Sequence, residues 1–497
     1  MDAIREVWDL LIVGGGINGT GIARDAAGRG LGVLLVEKDD LASATSAGSS
    51  KLIHGGLRYL EQYEFRLVRE ALREREVMLR LAPHIIRPLN FVLPHDASMR
   101  PAWMIRAGLW LYDNIGGRET LPGSKKVLFP HMEFSAGLRS DIRTGFVYSD
   151  CRVDDARLVV VNAIAAREKG AGVLTRTRFV SAKREGGQWV AELQDAGTGA
   201  KRTVRAKALV NASGPWVAEV LGSIAGGHAR AAVRLVKGSH IVVPKVHSLG
   251  HAYLLQNADK RVCFVIPYEN RFSLIGTTDV PVQTPDEGWE ITQAEIEYLL
   301  AAASRYLAKP LSAADIVSTY AAIRPLYDDG SANPSQVTRD YVLKVDDEAG
   351  AVPLLSVFGG KITTYRRLSE EAVEKFRPYF PDLKPAWSDT EPLPGGNVRH
   401  FNAFRDEMRG HYGSLGRDFV EGMVRRHGSR TPEILGTAEK IDQLGRYFGA
   451  GLTEREIEYL KKEEWARTSQ DILWRRTKCG LHMDNEHRNA VATYLGE

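Results

Sequence analysis

The stretch that most constrains this chain lies near its N-terminus, where the apolar run Trp8–Val13 meets a cluster of glycines. Gly14, Gly16 and Gly19 have the spacing G-x-G-x-x-G. After a buried strand, the first glycine permits a tight turn, the second lets the backbone approach a pyrophosphate, and the third lets the next helix pack closely on the strand. The N-terminus of that helix offers N–H groups to phosphates. The pattern predicts a dinucleotide-binding unit.

The second apolar run, Leu31–Val36, reads as the next strand and ends in an acid, Glu37. A carboxylate about 20 residues beyond the glycines is placed to accept a hydrogen bond from a ribose 2′-hydroxyl. The alternative is a glycine-rich turn in an ordinary α/β domain. Strand, turn, helix, strand and acid all follow in register, which favours dinucleotide binding.

Length and composition describe a multidomain globular protein. At 497 residues the chain exceeds what one core supports, so two or three domains are expected. A net charge of +4 gives no indication of a nucleic-acid partner. Cys151, Cys263 and Cys479 lie far apart and form no C-x-x-C pair, so no metal site is expected. Without a secretory signal or an apolar run of about 18 residues, we expect a protein of the cytoplasm or of a membrane surface.

The rest of the chain alternates between α/β, strand-rich and helical stretches. A helix is predicted over Phe65–Leu81, and an α/β segment containing a strand at Val173–Ser181 follows later. Residues 233–345 carry strand patterns typical of an antiparallel sheet, and Leu354–Thr364 repeats the strand–glycine–helix design. A proline-rich linker then leads into a helical C-terminal domain.

The segment Trp103–Tyr112 is unusually apolar and aromatic, but it is too short to cross a bilayer. One interpretation is a buried core helix. The other is a helix at a membrane interface, because tryptophan and tyrosine favour the headgroup level. The sequence leaves both open.

Several long motifs resemble the signatures of FAD-dependent glycerol-3-phosphate dehydrogenases, and of the bacterial aerobic type in particular. The resemblance extends over essentially the whole chain and is looser in the C-terminal part. The motifs are Ser49–Leu60, Lys237–His240, Ile275–Asp279, Ile323–Leu326, Gly359–Tyr365 and Trp474–Lys478.

The resemblance implies an α/β fold with a glutathione-reductase-like FAD-binding Rossmann domain, an antiparallel-sheet substrate domain and an α-helical C-terminal domain. The implied FAD-dependent oxidoreductase region is 1–377, followed by a linker at 378–399 and the helical domain at 400–497. The FAD-binding segments are about 1–100, 150–232 and 345–377, and the substrate segments are about 85–150 and 233–345.

The resemblance also implies a reaction and its partners. The reaction is oxidation of sn-glycerol 3-phosphate to dihydroxyacetone phosphate, with electrons passing from non-covalently bound FAD to a membrane quinone. Family members are peripheral proteins on the inner face of the cytoplasmic membrane and often homodimers. No metal and no nucleic acid are expected.

A phosphorylated alcohol requires cations for its dianion and a group that takes the hydroxyl proton. Arg58, Arg324 and Lys361 lie in the matched motifs and are the predicted phosphate ligands, and Tyr59 is a predicted donor to a substrate oxygen. Histidine suits proton abstraction near neutrality, so His54 and His240 are the candidate bases. Proton transfer assisted by Arg324 is the alternative. Each lone arginine or histidine also has a purely structural interpretation.

The flavin is expected to be held along its length by the glycine turn, the acid after the second strand and several small-residue turns. The predicted cofactor-binding residues are Gly14, Gly16, Ile17, Asn18, Gly19, Glu37, Lys38, Thr45, Ser46, Ser49, Ser50, Lys51, Leu52, His54, Phe179, Val180, Ala212, Ser213, Gly214, Gly276, Thr277, Asp279, Gly360, Lys361, Ile362 and Thr363.

A quinone reaches the flavin from lipid, so the chain is expected to dock on an anionic lipid surface. Arg475, Arg476 and Lys478 are candidates for contact with headgroups, worth about 1 kcal/mol per cation. Their alternative role is a solvated helix end or an internal ion pair.

Three other functions fit parts of the pattern. An oxidase that delivers electrons from glycerol 3-phosphate to O₂ would use the same motifs. A related FAD-dependent amine oxidase would not need three cations directed at a phosphate. A non-catalytic flavoprotein that binds RNA is disfavoured by the near-neutral charge.

Overall fold

The computed structural model describes residues 6–96, 99–129, 133–225, 233–257, 259, 261–328, 340–347, 350 and 352–497. The strands are β1 (Trp8–Val13), β2 (Val33–Val36), β3 (Leu52–Ile53), β4 (Ile86–His95), β5 (Lys125–Leu128), β6 (Thr144–Val153), β7 (Gly172–Leu174), β8 (Thr177–Glu185), β9 (Gln188–Asp195), β10 (Lys201–Asn211), β11 (Val233–Pro244), β12 (Ala252–Gln256), β13 (Val262–Tyr268), β14 (Phe272–Gly276), β15 (Val280–Val282), β16 (Ser318–Tyr327), β17 (Val342–Asp346), β18 (Leu354–Phe358), β19 (Tyr447–Gly449) and β20 (Leu452–Thr453).

The helices are α1 (Ile17–Gly28), α2 (Phe65–Leu81), α3 (Ala102–Ile115), α4 (Asp155–Glu168), α5 (Val217–Gly222), α6 (Gln293–Ser304), α7 (Tyr365–Glu374), α8 (Phe401–His411), α9 (Arg417–His427), α10 (Thr431–Leu435), α11 (Glu454–Glu464) and α12 (Asn485–Leu495). A π-helical turn covers Asp471–Arg476. Among the described residues, no helix combines the length and the apolar character that a bilayer crossing requires.

The first sheet has the strand order β17-β18-β10-β1-β2-β7, and β18 through β7 run parallel. Strands β1 and β2 are apolar almost throughout because both faces of this sheet are covered. Helices α1, α4 and α7 pack on one face, and α5 with the β8–β9 hairpin covers the other. The glycine turn after β1 therefore lies at the carboxyl edge of a parallel sheet, where α/β folds bind ligands.

The second sheet has the order β15-β11-β14-β13-β12-β4-β6-β3, with β16 beside β11 and β5 beside β6. It is antiparallel except where β4 pairs with β12. Helices α2 and α3 cover one face and α6 covers the other. The predicted fold class, an α/β dinucleotide-binding domain with an antiparallel sheet, is confirmed.

Element boundaries agree with the sequence pattern in most places. The helix predicted over Phe65–Leu81 has those bounds. The single strand predicted over Val173–Ser181 is instead two strands, β7 and β8. The reason is Arg176, whose φ of 51° is left-handed and turns the chain between them.

The proline-rich stretch after α7 contains no strand or α-helix in the described structure, yet it is packed against the first sheet's helices. The Trp387 indole donates to the Asp25 carbonyl at 3.1 Å and lies against Gly28, where a Cβ would stand 2.1 Å from the ring. The Leu393 amide donates to the Leu81 carbonyl at 3.0 Å. The predicted linker is therefore held along its length.

Helices α8–α12 enclose their own apolar core, which includes Met423, Val424, Leu435 and Leu460. Buried ion pairs join this helical region to the first sheet's side of the molecule. Of the roles left open for three C-terminal cations, the structure shows internal ion pairs and not exposure to lipid headgroups. Arg476 is fully buried against Asp40, Arg475 binds Asp40 and Asp471, and the buried Lys478 pairs with Asp154.

Two neighbouring glutamates on α11 allow the contribution of such buried ion pairs to the free energy of unfolding to be measured. Glu464 forms a bidentate, buried pair with Arg157 on α4, whereas Glu463 pairs with the partly exposed Arg167 on the same helix. We expect Glu464→Ala to lower the free energy of unfolding by about 3–5 kcal/mol, because it leaves a buried cation unpaired. Glu463→Ala is the matched control, at under about 1 kcal/mol. Equal shifts in the thermal unfolding midpoint would contradict this.

Candidate active site

A cavity of about 420 Å³ opens between the carboxyl edge of the first sheet and the second sheet. Its volume is in the range of small-molecule and cofactor sites. The wall contains the glycine turn, the loop after β2, parts of residues 42–62, the turn after β10 and the Gly359–Thr363 turn. The second sheet contributes residues of β6, β11, β12, β13 and β16.

The glycine turn has the geometry that its spacing predicts. Gly14 has a φ of +113°, and a Cβ there would lie 2.5 Å from the Ala212 carbonyl oxygen. A Cβ on Gly19 would lie 1.9 Å from the Gly14 carbonyl oxygen, so only glycine allows α1 to approach β1 this closely. The first turn of α1 has no side-chain cap at Gly16. Apart from the Ile17 amide, which donates to Ser46 Oγ, no side chain accepts from this first turn in the described structure. Gly16, Ile17 and Asn18 line the cavity, so a phosphate would bind at this end of α1.

Glu37 lines the cavity beside the turn. Its carboxylate accepts from the Gly15 amide at 2.6 Å and from the Asp39 amide at 2.8 Å. Burial raises the pKa of Glu37, and the two backbone donors oppose that shift. The acid thus joins the second strand to the glycine turn and still faces the space where a ribose would lie.

The small-residue segment after Glu37 is anchored, not flexible. Thr45 Oγ1 donates to the Ile323 carbonyl at 2.6 Å, and the Tyr320 hydroxyl donates to the Ser49 carbonyl at 2.8 Å. Ser46 Oγ accepts from the Ile17 amide at 2.9 Å. These bonds hold one wall of the cavity across both sheets.

Most predicted cofactor residues line the cavity, but four do not. Lys51 is buried beneath the wall, where its ammonium binds the Asp155 carboxylate at 2.9 Å. Gly19 packs on Gly14. Gly276 packs on the His240 ring so closely that a Cβ on Gly276 would stand 2.1 Å from the ring. Val180 lies at an irregularity in the β8–β9 register, outside the lining.

Sequence reasoning missed other lining residues. Tyr148 on β6, Phe264 on β13 and Trp216 after β10 all face the cavity. Trp216 stacks on Trp289 at a centroid distance of 5.6 Å, and Lys38 Nζ lies 3.7 Å above its ring. No local pattern identifies these residues, because which strand face meets the cavity depends on how the two sheets pack.

The predicted phosphate ligands converge on this cavity. Lys361 Nζ is buried, has no hydrogen-bond partner within the described chain, and lies 3.9 Å from the centre of the Tyr59 ring. Arg58 lines the same wall and forms no ion pair with any described residue. Arg324 donates to Thr277 Oγ1 and to the Thr278 carbonyl, each at 3.0 Å, and pairs with Asp279.

Both candidate histidines line the cavity. His240 Nε2 lies 2.9 Å from Ser50 Oγ, its Nδ1 has no partner in the described structure, and its ring stacks on Tyr320 at 4.8 Å. Burial lowers the pKa of His240 well below its usual range, and the Lys51 and Arg324 charges lower it further. Burial also lowers the pKa of His54, opposed by Asp150. Both rings are therefore neutral near pH 7.

The backbone beside His54 is fixed by a buried polar cluster. The Gly55 amide donates to the Tyr112 hydroxyl at 2.9 Å, and that hydroxyl donates to Asp150 at 2.8 Å. Arg75 binds the same carboxylate at 2.7 Å. A Cβ on Gly55 would stand 2.4 Å from the Leu72 side chain, so only glycine fits beside this cluster.

The donor set fits a flavin dinucleotide. The uncapped α1 terminus suits a pyrophosphate, and Glu37 suits a ribose. The Gly359–Thr363 turn, with Gly360 at a φ of +95°, brings backbone close to the cavity. The Lys361 ammonium has the Tyr59 ring beside it but no hydrogen-bond acceptor among the described residues, so it is suited to an anionic or polar occupant.

Comparisons with known proteins agree with this geometry. A family model described as FAD dependent oxidoreductase matches residues 9–366, and one described as C-terminal domain of alpha-glycerophosphate oxidase matches residues 387–495. The chain therefore belongs to the FAD-dependent oxidoreductase family. The expected enzyme class and FAD cofactor are confirmed.

Two relatives and one solved structure show which enzymes the chain is similar to. The chain is 50% identical over 492 residues to the D-erythritol 1-phosphate dehydrogenase of Brucella abortus, covering 99% of this chain and 98% of the relative. It is 50% identical over 495 residues to the aerobic glycerol-3-phosphate dehydrogenase of Escherichia coli, with the same coverage. The structure of the glycerol-3-phosphate dehydrogenase from Bacillus halodurans complexed with FAD gives a TM-score of 0.75 at 26% identity, covering 99% of this chain and 94% of that one.

Proposed function

We propose that this chain oxidises the secondary alcohol of sn-glycerol 3-phosphate to dihydroxyacetone phosphate and passes the electrons to a membrane quinone. The observation that carries the proposal is the unpartnered Lys361 ammonium, which lies with Arg58 and Arg324 on the wall of one cavity. A phosphate dianion matches this set, because charge-assisted hydrogen bonds from several cations offset its desolvation.

The reaction divides between the cofactor and the protein. Bound FAD supplies the hydride acceptor. The cations hold the phosphate so that the carbinol carbon faces the flavin, which is the positioning that the reaction needs. The position of the Arg324 guanidinium depends on Gly238, because a Cβ on residue 238 would stand 2.1 Å from that guanidinium.

A neutral histidine takes the hydroxyl proton. His240 and His54 are both neutral because burial lowers the pKa of each ring. A dianionic substrate beside the ring would stabilise the imidazolium, so binding itself raises the proton affinity of the base. Ser50, bonded to His240 Nε2, sets the orientation of that ring.

The substrate has a second candidate, D-erythritol 1-phosphate. The observation in its favour is the equal identity of the chain to relatives named for each substrate. The same cations would bind either phosphate, so the two differ only in how the cavity accommodates the longer polyol.

Anaerobic mixing with substrate tests the reaction class. We expect glycerol 3-phosphate to bleach the visible absorbance of the bound flavin, because the substrate reduces the oxidised ring. D-erythritol 1-phosphate serves as the competing substrate, and glycine as the amine-oxidase control. Bleaching by glycine alone would contradict the proposal, and stoichiometric hydrogen peroxide in air without quinone would favour the oxidase.

The same assay identifies the base. Removing a general base slows the proton transfer by about 10²–10⁴-fold. We expect that loss in His54→Asn or in His240→Asn. If both variants reduce FAD at the wild-type rate, the histidine mechanism is wrong.

The phosphate site is tested by Lys361→Met. We expect the KM for substrate to rise by at least about tenfold, because the variant loses a charge-assisted hydrogen bond worth about 1.5–3 kcal/mol. Lys201→Met, which removes an exposed lysine paired with Glu192, is the matched control. An unchanged KM in Lys361→Met would refute the assignment.

A surface beside the cavity supports docking on a membrane. Trp103 and Trp110 on α3 are 69% and 66% exposed, and Tyr63 is 79% exposed. Tyr63 directly follows Gln62, which lines the cavity. Arg100, just before α3, forms an ion pair with Glu61 in the segment that precedes Tyr63, with 3.3 Å between Arg100 Nη2 and Glu61 Oε2. Both interpretations of this helix apply, each to one of its faces. The face with Leu109 and Tyr112 is buried in the core, and the face with Trp103 and Trp110 is available to a membrane interface.

We propose that this apolar surface rests on the inner face of the cytoplasmic membrane and lets a quinone reach the flavin, with the enzyme acting as a homodimer. The double variant Trp103→Ser/Trp110→Ser should bind liposomes at least about tenfold more weakly, since burying each large apolar side chain is worth about 1.5–3 kcal/mol. Tyr447→Ser, at a 52% exposed site in the helical region, is the control. Equal co-sedimentation of both variants would contradict the docking surface.

A further inference from the structure

The π-helical turn Asp471–Arg476 in the C-terminal region contacts the loop that follows Glu37. The Asp40 carboxylate, only 3% exposed, accepts from Arg476 Nη1 at 2.6 Å and from Nη2 at 2.7 Å. It also accepts from Arg475 Nε at 2.6 Å. Bidentate, charge-assisted pairing of this kind fixes geometry as well as position.

The same turn also binds the bend before β8, a second segment next to the cavity wall. Asp471 accepts from Arg176 Nη2 at 2.6 Å and from the backbone amides of Arg467 and Thr468 at 2.7 and 2.9 Å. The Arg176 amide in turn donates to the Asp39 carbonyl at 2.8 Å. One helical turn therefore holds the loop after β2 and the bend before β8 together.

Both segments need outside support. Ala42, two residues beyond Asp40, has a φ of 60°, and Arg176 has a φ of 51°. These left-handed conformations are unfavourable for residues with a Cβ, so they persist only where surrounding contacts impose them. Next to them, Glu37, Asp39 and Thr177 line one end of the cavity.

We infer that the C-terminal domain retains the cofactor by positioning the wall that holds the adenosine half of FAD. Asp40, Asp471, Arg475 and Arg476 act as positioning residues, and none of them lines the cavity. The inference rests on FAD as the cofactor and on Glu37 facing its ribose. It does not depend on the identity of the substrate.

The experiment measures FAD release from the purified holoenzyme by the fluorescence of free flavin after dilution. We expect Asp40→Asn and Arg475→Ala to release FAD at least about tenfold faster than the wild type, because each removes charge-assisted bonds that fix the loop. Added excess FAD should restore the activity of both variants. Rescue of this kind separates a lost positioning role from general unfolding.

Arg167→Ala is the matched control, since it breaks the Arg167–Glu463 pair between the same two regions without touching the cavity wall. Its FAD release should equal that of the wild type. If Asp40→Asn does not fold, Arg475→Ala carries the test alone, because this side chain is partly exposed. The inference is overturned if neither variant releases FAD faster, or if Arg167→Ala releases it equally fast.

Discussion

The close approach of helix α1 to strand β1 is the constraint on which the site depends. A Cβ on Gly19 would stand 1.9 Å from the Gly14 carbonyl oxygen, and one on Gly14 would meet the Ala212 carbonyl. The approach fixes where the first N–H groups of the helix point and brings the ends of β1 and β10 together. Glu37 then joins the second strand to the same turn through the Gly15 amide. The cavity is located by backbone packing before any side chain binds a ligand.

Charge pairing separates structure from function in this molecule. Arg157, Arg476 and Lys51 are buried and each has a carboxylate partner, which offsets the cost of removing a cation from water. Lys361 Nζ is also buried, yet it forms no hydrogen bond with any described residue and only lies against the Tyr59 ring. That difference points to an anionic ligand at Lys361 and to a structural role for the others.

The predictions from sequence were accurate where the cause was local. The glycine turn and helix α2 follow from spacing and periodicity, and most motif residues around His54 and Lys361 line the cavity. The ion pairs of Lys51, Arg475 and Arg476 could not be foreseen, because their partners, Asp155 and Asp40, come from distant parts of the chain. Tyr148 was missed because the packing of two sheets, not its neighbours in sequence, turns it toward the cavity.

The chain alternates between its two sheets, and the site is formed by residues from early and late parts of the sequence. The side-chain Nδ2 of Asn18 donates to the Gly359 carbonyl at 3.2 Å across a separation of 341 residues. Contacts this distant in sequence form slowly, because the entropy of closing the loop must be overcome before they stabilise anything. The wall that carries Lys361 is also among the last parts of the FAD-dependent oxidoreductase region to leave the ribosome. The complete cofactor site therefore requires both segments of the chain, and we expect it to form only once β1 and β18 have joined the first sheet on either side of β10.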